Sequence, residues 1–283
     1  MRYLVYHEKL LAVLLLLAVA TALLPLRPPR MWLYPLVRDA AHARMDWQTR
    51  HMAVFETEHF IIKYTAHDSA NVAMIAQAAE AAYEPVRAVL GDVPAGKSLL
   101  LVYPDRTAMN KVFGWSGAQS AMGVYWGGVI QVLTPRSWLK AGESTPEFIK
   151  TGPMVHEFTH LAFDYMTDGN YSRWFTEGLA QYVEYKTNGY QWLTVTNRHP
   201  GRYYTQGELD GDFDSLPDQS LAYRSAFAAV RYIVAVHGET GLQGIIGRLR
   251  QGRSVPGAIE DVLGLDYGAY ETAWRQWAAG SMQ

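Results

Sequence analysis

His156-Glu157-Phe158-Thr159-His160, followed by Trp174-Phe175-Thr176-Glu177-Gly178-Leu179-Ala180, is the pair of segments from which the rest of the chain is read. On a helix, positions i and i+4 differ by about 40° in azimuth and about 6 Å along the axis, so both imidazoles can reach one ion. Glu157 lies about 100° further round than His156. That is a poor place for a third ligand and a good one for a base that takes a proton from water. The apolar neighbours Val155, Phe158, Leu161 and Ala162 predict a motif helix buried beside its polar triplet.

Two histidines leave a catalytic zinc one protein ligand short. Glu177 is the candidate, because a helix-turn-helix returns it towards the first helix and Gly178 lets the backbones approach closely. A first-turn carboxylate that merely interacts with the helix dipole is the alternative. The chain has no cysteine. This excludes disulfides, thiolate sites and cysteine nucleophiles, and leaves histidine and carboxylate as ligands for any transition metal. Twenty-five basic and 27 acidic residues give a formal net charge of −2. No basic footprint for nucleic acid is implied.

Residues 55–64 and 98–103 read as strands, the second stopped by Pro104; residues 127–133 read as a third, stopped by Thr134-Pro135. Between the first two, residues 70–90 carry Val72, Ile75, Ala79, Tyr83, Val86 and Leu90 at helical spacing, closed by Gly91. Helices are expected from Pro153 to Met166, over 174–186 and over 223–236, with shorter ones in 240–280 and a loop across 206–220. Strands first and helices later make this an α+β fold, with one domain over residues 53–283.

Ahead of it, residues 10–26 form an almost unbroken apolar run between Arg2 and Lys9 on one side and Arg27 and Arg30 on the other. One N-terminal transmembrane helix, with the domain outside the cytoplasm, is the preferred expectation. The alternatives are a cleaved signal ending near Ala18-Val19-Ala20, giving a secreted protein, and a buried soluble helix. Residues 1–30 are thus the anchor or signal segment and 31–52 a juxtamembrane linker, whose Trp32, Tyr34 and Trp47 suit a membrane surface.

The chain resembles the gluzincin peptidases, and within them the peptidase MA-like domain found in many bacterial membrane-associated proteins. The resemblance rests on the strand-like Phe55-Glu56-Thr57-Glu58-His59-Phe60 before a long helix and on Gly128-Val129-Ile130-Gln131-Val132-Leu133 as an edge strand above the zinc. The HEFTH and WFTEGLA pair follows, then Ala222-Tyr223-Arg224-Ser225-Ala226-Phe227. It covers roughly residues 53–280 and implies a zincin-like, thermolysin-like core with zinc held by His156, His160 and Glu177. Two departures stand out. The interval from His160 to Glu177 is shorter than in the best-known gluzincins, and Gln181 stands where an acidic supporting residue is expected. Gln181, Asp164 and Glu184 are the candidates to support the ligating histidines.

Related peptidases supply a downstream Tyr or His as oxyanion donor; Tyr223 is the candidate here, with Tyr171 and His199 as rivals. The 128–133 strand is a candidate for pairing with an extended peptide or protein substrate at the sheet edge, with a buried core strand as the alternative. Asp210-Gly211-Asp212-Phe213-Asp214 only echoes a calcium loop, since its glycine is misplaced and position twelve is Leu221. The expected activity is hydrolysis of peptide bonds with Glu157 as general base, and the absence of an obvious acidic anchor for a free amino terminus favours endopeptidase. A non-catalytic, membrane-tethered zinc-binding module is the competing reading, as is a zinc hydrolase acting on something other than peptides.

Overall fold

The computed structural model describes residues 28–115, 121–139, 144–195, 197–198 and 202–282. Short runs rich in Val, Ile, Leu and Tyr pair into a five-stranded sheet of order β1-β2-β3-β5-β4. Its members are β1 (Ala53–Glu56), β2 (Phe60–Tyr64), β3 (Ser98–Tyr103), β4 (Gly123–Trp126) and β5 (Val129–Leu133). The β2, β3 and β5 strands are parallel to one another, while β1 and β4 run antiparallel at the two edges.

Two corrections to the expected strands follow. The single strand expected over 55–64 is a hairpin, because the polar Thr57-Glu58-His59 makes a turn in which the Thr57 and Phe60 backbones bond to each other. The 128–133 strand is not the edge. Gly127 and Gly128, at φ 58° and 81°, form a two-residue turn that folds β4 back onto β5 and buries it. The edge on that side of the sheet is β4.

The sheet is covered on both faces. Helix α1 (Arg30–Gln48) packs Met45 against Leu99, Leu101 and Val129 on one face. Helix α2 (Val72–Leu90) packs against Ile62, Leu100, Val102 and Ile130 on the other. Residues 31–52, expected as a linker, are therefore largely a docked helix. Three of its side chains anchor it: Arg30 donates to Asn170, Tyr34 donates to Asp164, and Arg38 pairs with Asp164. The apolar run 10–26 lies outside the described residues. No described helix is long and apolar enough to cross a membrane.

After the short α3 (Arg106–Phe113) and α4 (Thr145–Thr151), the chain becomes helical. The motif helix α5 (Met154–Thr167) lies against α2 and β4, and α6 (Arg173–Asn188) packs against it. Phe158 fixes α5 in place, with its ring against Phe60 and Tyr83 and almost no exposure. Burying such a ring stabilises by about 1.5–3 kcal/mol. Past α7 (Gln206–Asp210), the helix expected over 223–236 is much longer, α8 (Gln219–Arg250), bent where Gly238 leaves helical geometry. Helices α9 (Val255–Leu263) and α10 (Tyr267–Ser281) close the core around Trp274 and Tyr270. The α+β class is as expected.

Candidate metal centre

His156 and His160 project from one face of α5, with ring centroids 4.7 Å apart. The chain then turns at Asp168, which closes α5 in the left-handed region, and restarts at Ser172 as α6. This return delivers Glu177. Its Oε2 lies 3.1 Å from His156 Nε2 and its Oε1 lies 3.5 Å from His160 Nε2. The three ligand atoms lie within 4.8 Å of one another, and no second such trio converges among the described residues.

The other face of each imidazole decides whether these donors suit a metal. His156 Nδ1 lies 2.9 Å from Glu184 Oε2, and His160 Nδ1 lies 2.7 Å from Thr176 Oγ1. Each ring thus has an acceptor at Nδ1, which leaves its Nε2 turned to the trio. Two imidazoles and a carboxylate with one side open are the kind of donor set that a catalytic zinc uses. Burial lowers His160 and favours its neutral form. Burial also opposes charge on His156, but Glu184 and Glu177 outweigh it and raise its pKa well above the ordinary value. That pair of carboxylates favours positive charge at this point, whether carried by a proton or by a cation. Glu177 is likewise held ionised: burial resists, but His160 and Arg173 bring it well below the usual carboxylate range.

Of the three expected supports, Glu184 alone holds a candidate ligand. Gln181 instead donates to the Tyr223 carbonyl at 2.8 Å, tying α6 to α8. Asp164, 0 % exposed, accepts from the hydroxyls of Tyr34, Tyr125 and Tyr171, each at 2.7 Å. Thr176 was not singled out from sequence. Its only signal was its place immediately before the carboxylate ligand.

Residues 144–280 match the model of the Peptidase MA superfamily. The matched segment holds all three candidate ligands and both of their supports, and it ends within α10. The sheet and α1 lie outside it. No curated protein matches the chain. Within that segment the resemblance drawn from HEFTH and WFTEGLA holds.

Glu157, 6 % exposed, sits under β4 and receives a hydrogen bond from the Tyr125 backbone. Burial pushes its carboxyl up to about 7. A Cβ on Gly123 would lie 2.7 Å from Glu157 Cγ and 2.7 Å from Pro153 Cβ, so the edge strand rests directly on the motif helix. The trio, Glu157, Tyr223, Arg173 and Tyr125 share one cleft of about 870 Å³. Tyr223 is brought there by a close helix crossing. A Cβ on Gly178 would fall 2.3 Å from the Ala226 carbonyl, which is how tightly α6 and α8 meet. Burial raises the Tyr223 phenol far above its ordinary pKa and keeps its proton in place. The rival Tyr171 is committed to Asp164, and His199 lies outside the described residues. The acids of 210–214 are taken by protein partners: Asp210 by Trp174 and Tyr267, Asp212 by Ser215, and Asp214 by Arg173.

Proposed function

We propose that the chain is a zinc-dependent peptidase of gluzincin type, with His156, His160 and Glu177 holding the metal. The observation that carries this is the convergence of the three donors beside a buried carboxylate, Glu157, in a cleft large enough for an extended chain. Zinc, when bound, supplies Lewis-acid polarisation of the scissile carbonyl and lowers the pKa of water. Glu157 takes the proton of the attacking water and passes it to the leaving amine. The Tyr223 hydroxyl donates to the oxygen that becomes negative. The edge strand β4 gives a peptide a row of backbone partners above Glu157. Among the described residues that line the cleft the acids are Glu157, Glu177 and Asp214, the first two given to the metal centre and the third paired with Arg173, which leaves none to hold a free amino terminus and favours internal bonds.

The apolar run 10–26 tethers the chain to a membrane, with the peptidase domain outside the cytoplasm. The Glu157→Gln variant tests the chemistry. It is expected to keep stoichiometric zinc and to lose cleavage of a peptide library by about 10²–10⁴-fold. Wild type without zinc sinks the ligand set; a zinc-loaded Glu157→Gln that cleaves normally sinks the base. Zinc with no cleavage by wild type leaves the non-catalytic module as the better reading.

A further inference from the structure

Helix α1 is amphipathic the wrong way round for a helix that ends at the protein surface. Its docked face carries Met31, Arg38 and Met45, all buried. At about 100° per residue, Trp32, Leu33, Leu36, Ala40, Ala43 and Trp47 fall within a single arc of roughly 100°, diametrically opposite. All six are exposed; Trp32, Leu33, Leu36 and Trp47 are 52, 62, 66 and 62 % exposed. A stripe of this kind, with a tryptophan near each end, is expensive to leave in water.

We infer that this stripe lies in the plane of a lipid surface, so that α1 is an interfacial helix and not a spacer between membrane and enzyme. The inference rests on residues 10–26 being the membrane anchor. Only three residues separate the end of that run from Arg30, the first residue of α1. A fully extended chain of that length spans about 14 Å, less than half the hydrocarbon thickness. A bilayer holding residues 10–26 is therefore already within reach of α1, and the stripe begins in the first turn of that helix, at Trp32 and Leu33. The rim suits headgroups: Arg44 borders the stripe and the Arg50 guanidinium lies 4.1 Å over the Trp47 ring. Tyr34, Val37, Arg38 and Ala41 of the same helix line the metal cleft. One wall of the cleft thus runs along the membrane.

The absence of cysteine makes the test direct. Leu33→Cys, Leu36→Cys and Gln77→Cys, each in the full chain, are labelled with an environment-sensitive fluorophore and reconstituted in phosphatidylcholine–phosphatidylglycerol vesicles. Gln77 is exposed on α2, across the sheet from α1. The labels at 33 and 36 are expected to blue-shift and to lose intensity with shallow spin-labelled lipid, while the label at 77 does neither. Equal behaviour at all three positions in a chain that floats with the vesicles overturns the interfacial helix and leaves the anchor intact. A chain that does not float overturns the anchor as well. Concentration-dependent cross-linking through Leu36→Cys, without lipid quenching, would assign the stripe to a second copy and overturn the lipid surface.

Discussion

The Thr176 hydroxyl lies 2.7 Å from His160 Nδ1, one residue before the carboxylate that faces the Nε2 of the same ring. One turn of α6 thus sets both the tautomer and the neighbour of His160. Thr176→Val keeps the shape of a residue only 3 % exposed and removes the acceptor. Zinc affinity is expected to fall by about 10–100-fold. Titration against a competing chelator reads it, and Thr176→Ser should restore most of the loss. An unchanged affinity would mean that Thr176 has no part in holding the ring.

Gly123 is the contact between the edge strand and the base. In Gly123→Ala the new methyl lies 2.7 Å from Glu157 Cγ, so either β4 lifts or the carboxylate turns. Since the new methyl meets Glu157 and Pro153 and no member of the trio, zinc content should stay stoichiometric while kcat/KM for peptides drops. Overpacking of this kind costs about 1–3 kcal/mol, visible as a lower thermal midpoint. Full activity with an unshifted midpoint would show that the strand moves freely.

The candidate ligand trio was legible because helical spacing is a rigid ruler: His156 and His160 are one turn apart, and Glu177 needs only a turn between two helices. Glu184 was legible as one of three carbonyl-bearing candidates, since its type announces an acceptor. Thr176 was not, because a hydroxyl beside a ligand looks like any helix threonine. The edge strand β4 was missed because Gly127-Gly128 was read as the start of β5, when its positive φ values make it a turn. Helix α1 was missed for a different reason. It contains Pro35, places an arginine on its docked face and turns its apolar residues outwards, so its pattern runs against the usual signal for a docked helix.

Asp164 joins three elements through one carboxylate: α1 through Tyr34 and Arg38, β4 through Tyr125, and the turn after α5 through Tyr171. Removing it strands a buried guanidinium and three phenols. Asp164→Ala is expected to destabilise by about 3–5 kcal/mol. Urea unfolding followed by tryptophan fluorescence should show a lower midpoint at unchanged slope. Asp164→Asn, which still accepts two of these bonds, should lose less. Equal midpoints for wild type and Asp164→Ala would deny the carboxylate this role.

Tyr223 distinguishes a donor from a packing residue. Its ring is held edge-on by Trp192 and Phe213, at centroid distances of 5.1 and 5.4 Å, and Tyr223→Phe preserves both contacts. The fold and the zinc content should therefore be unchanged. Only the hydroxyl facing the cleft is lost, and it acts on charge that exists in the transition state and not in the bound substrate. The expectation is a fall in kcat of about 10²–10³-fold with KM little altered. A rise in KM at constant kcat would make Tyr223 a substrate-binding residue. A variant indistinguishable from wild type would return the oxyanion role to another donor in the cleft, with Arg173 first to be examined.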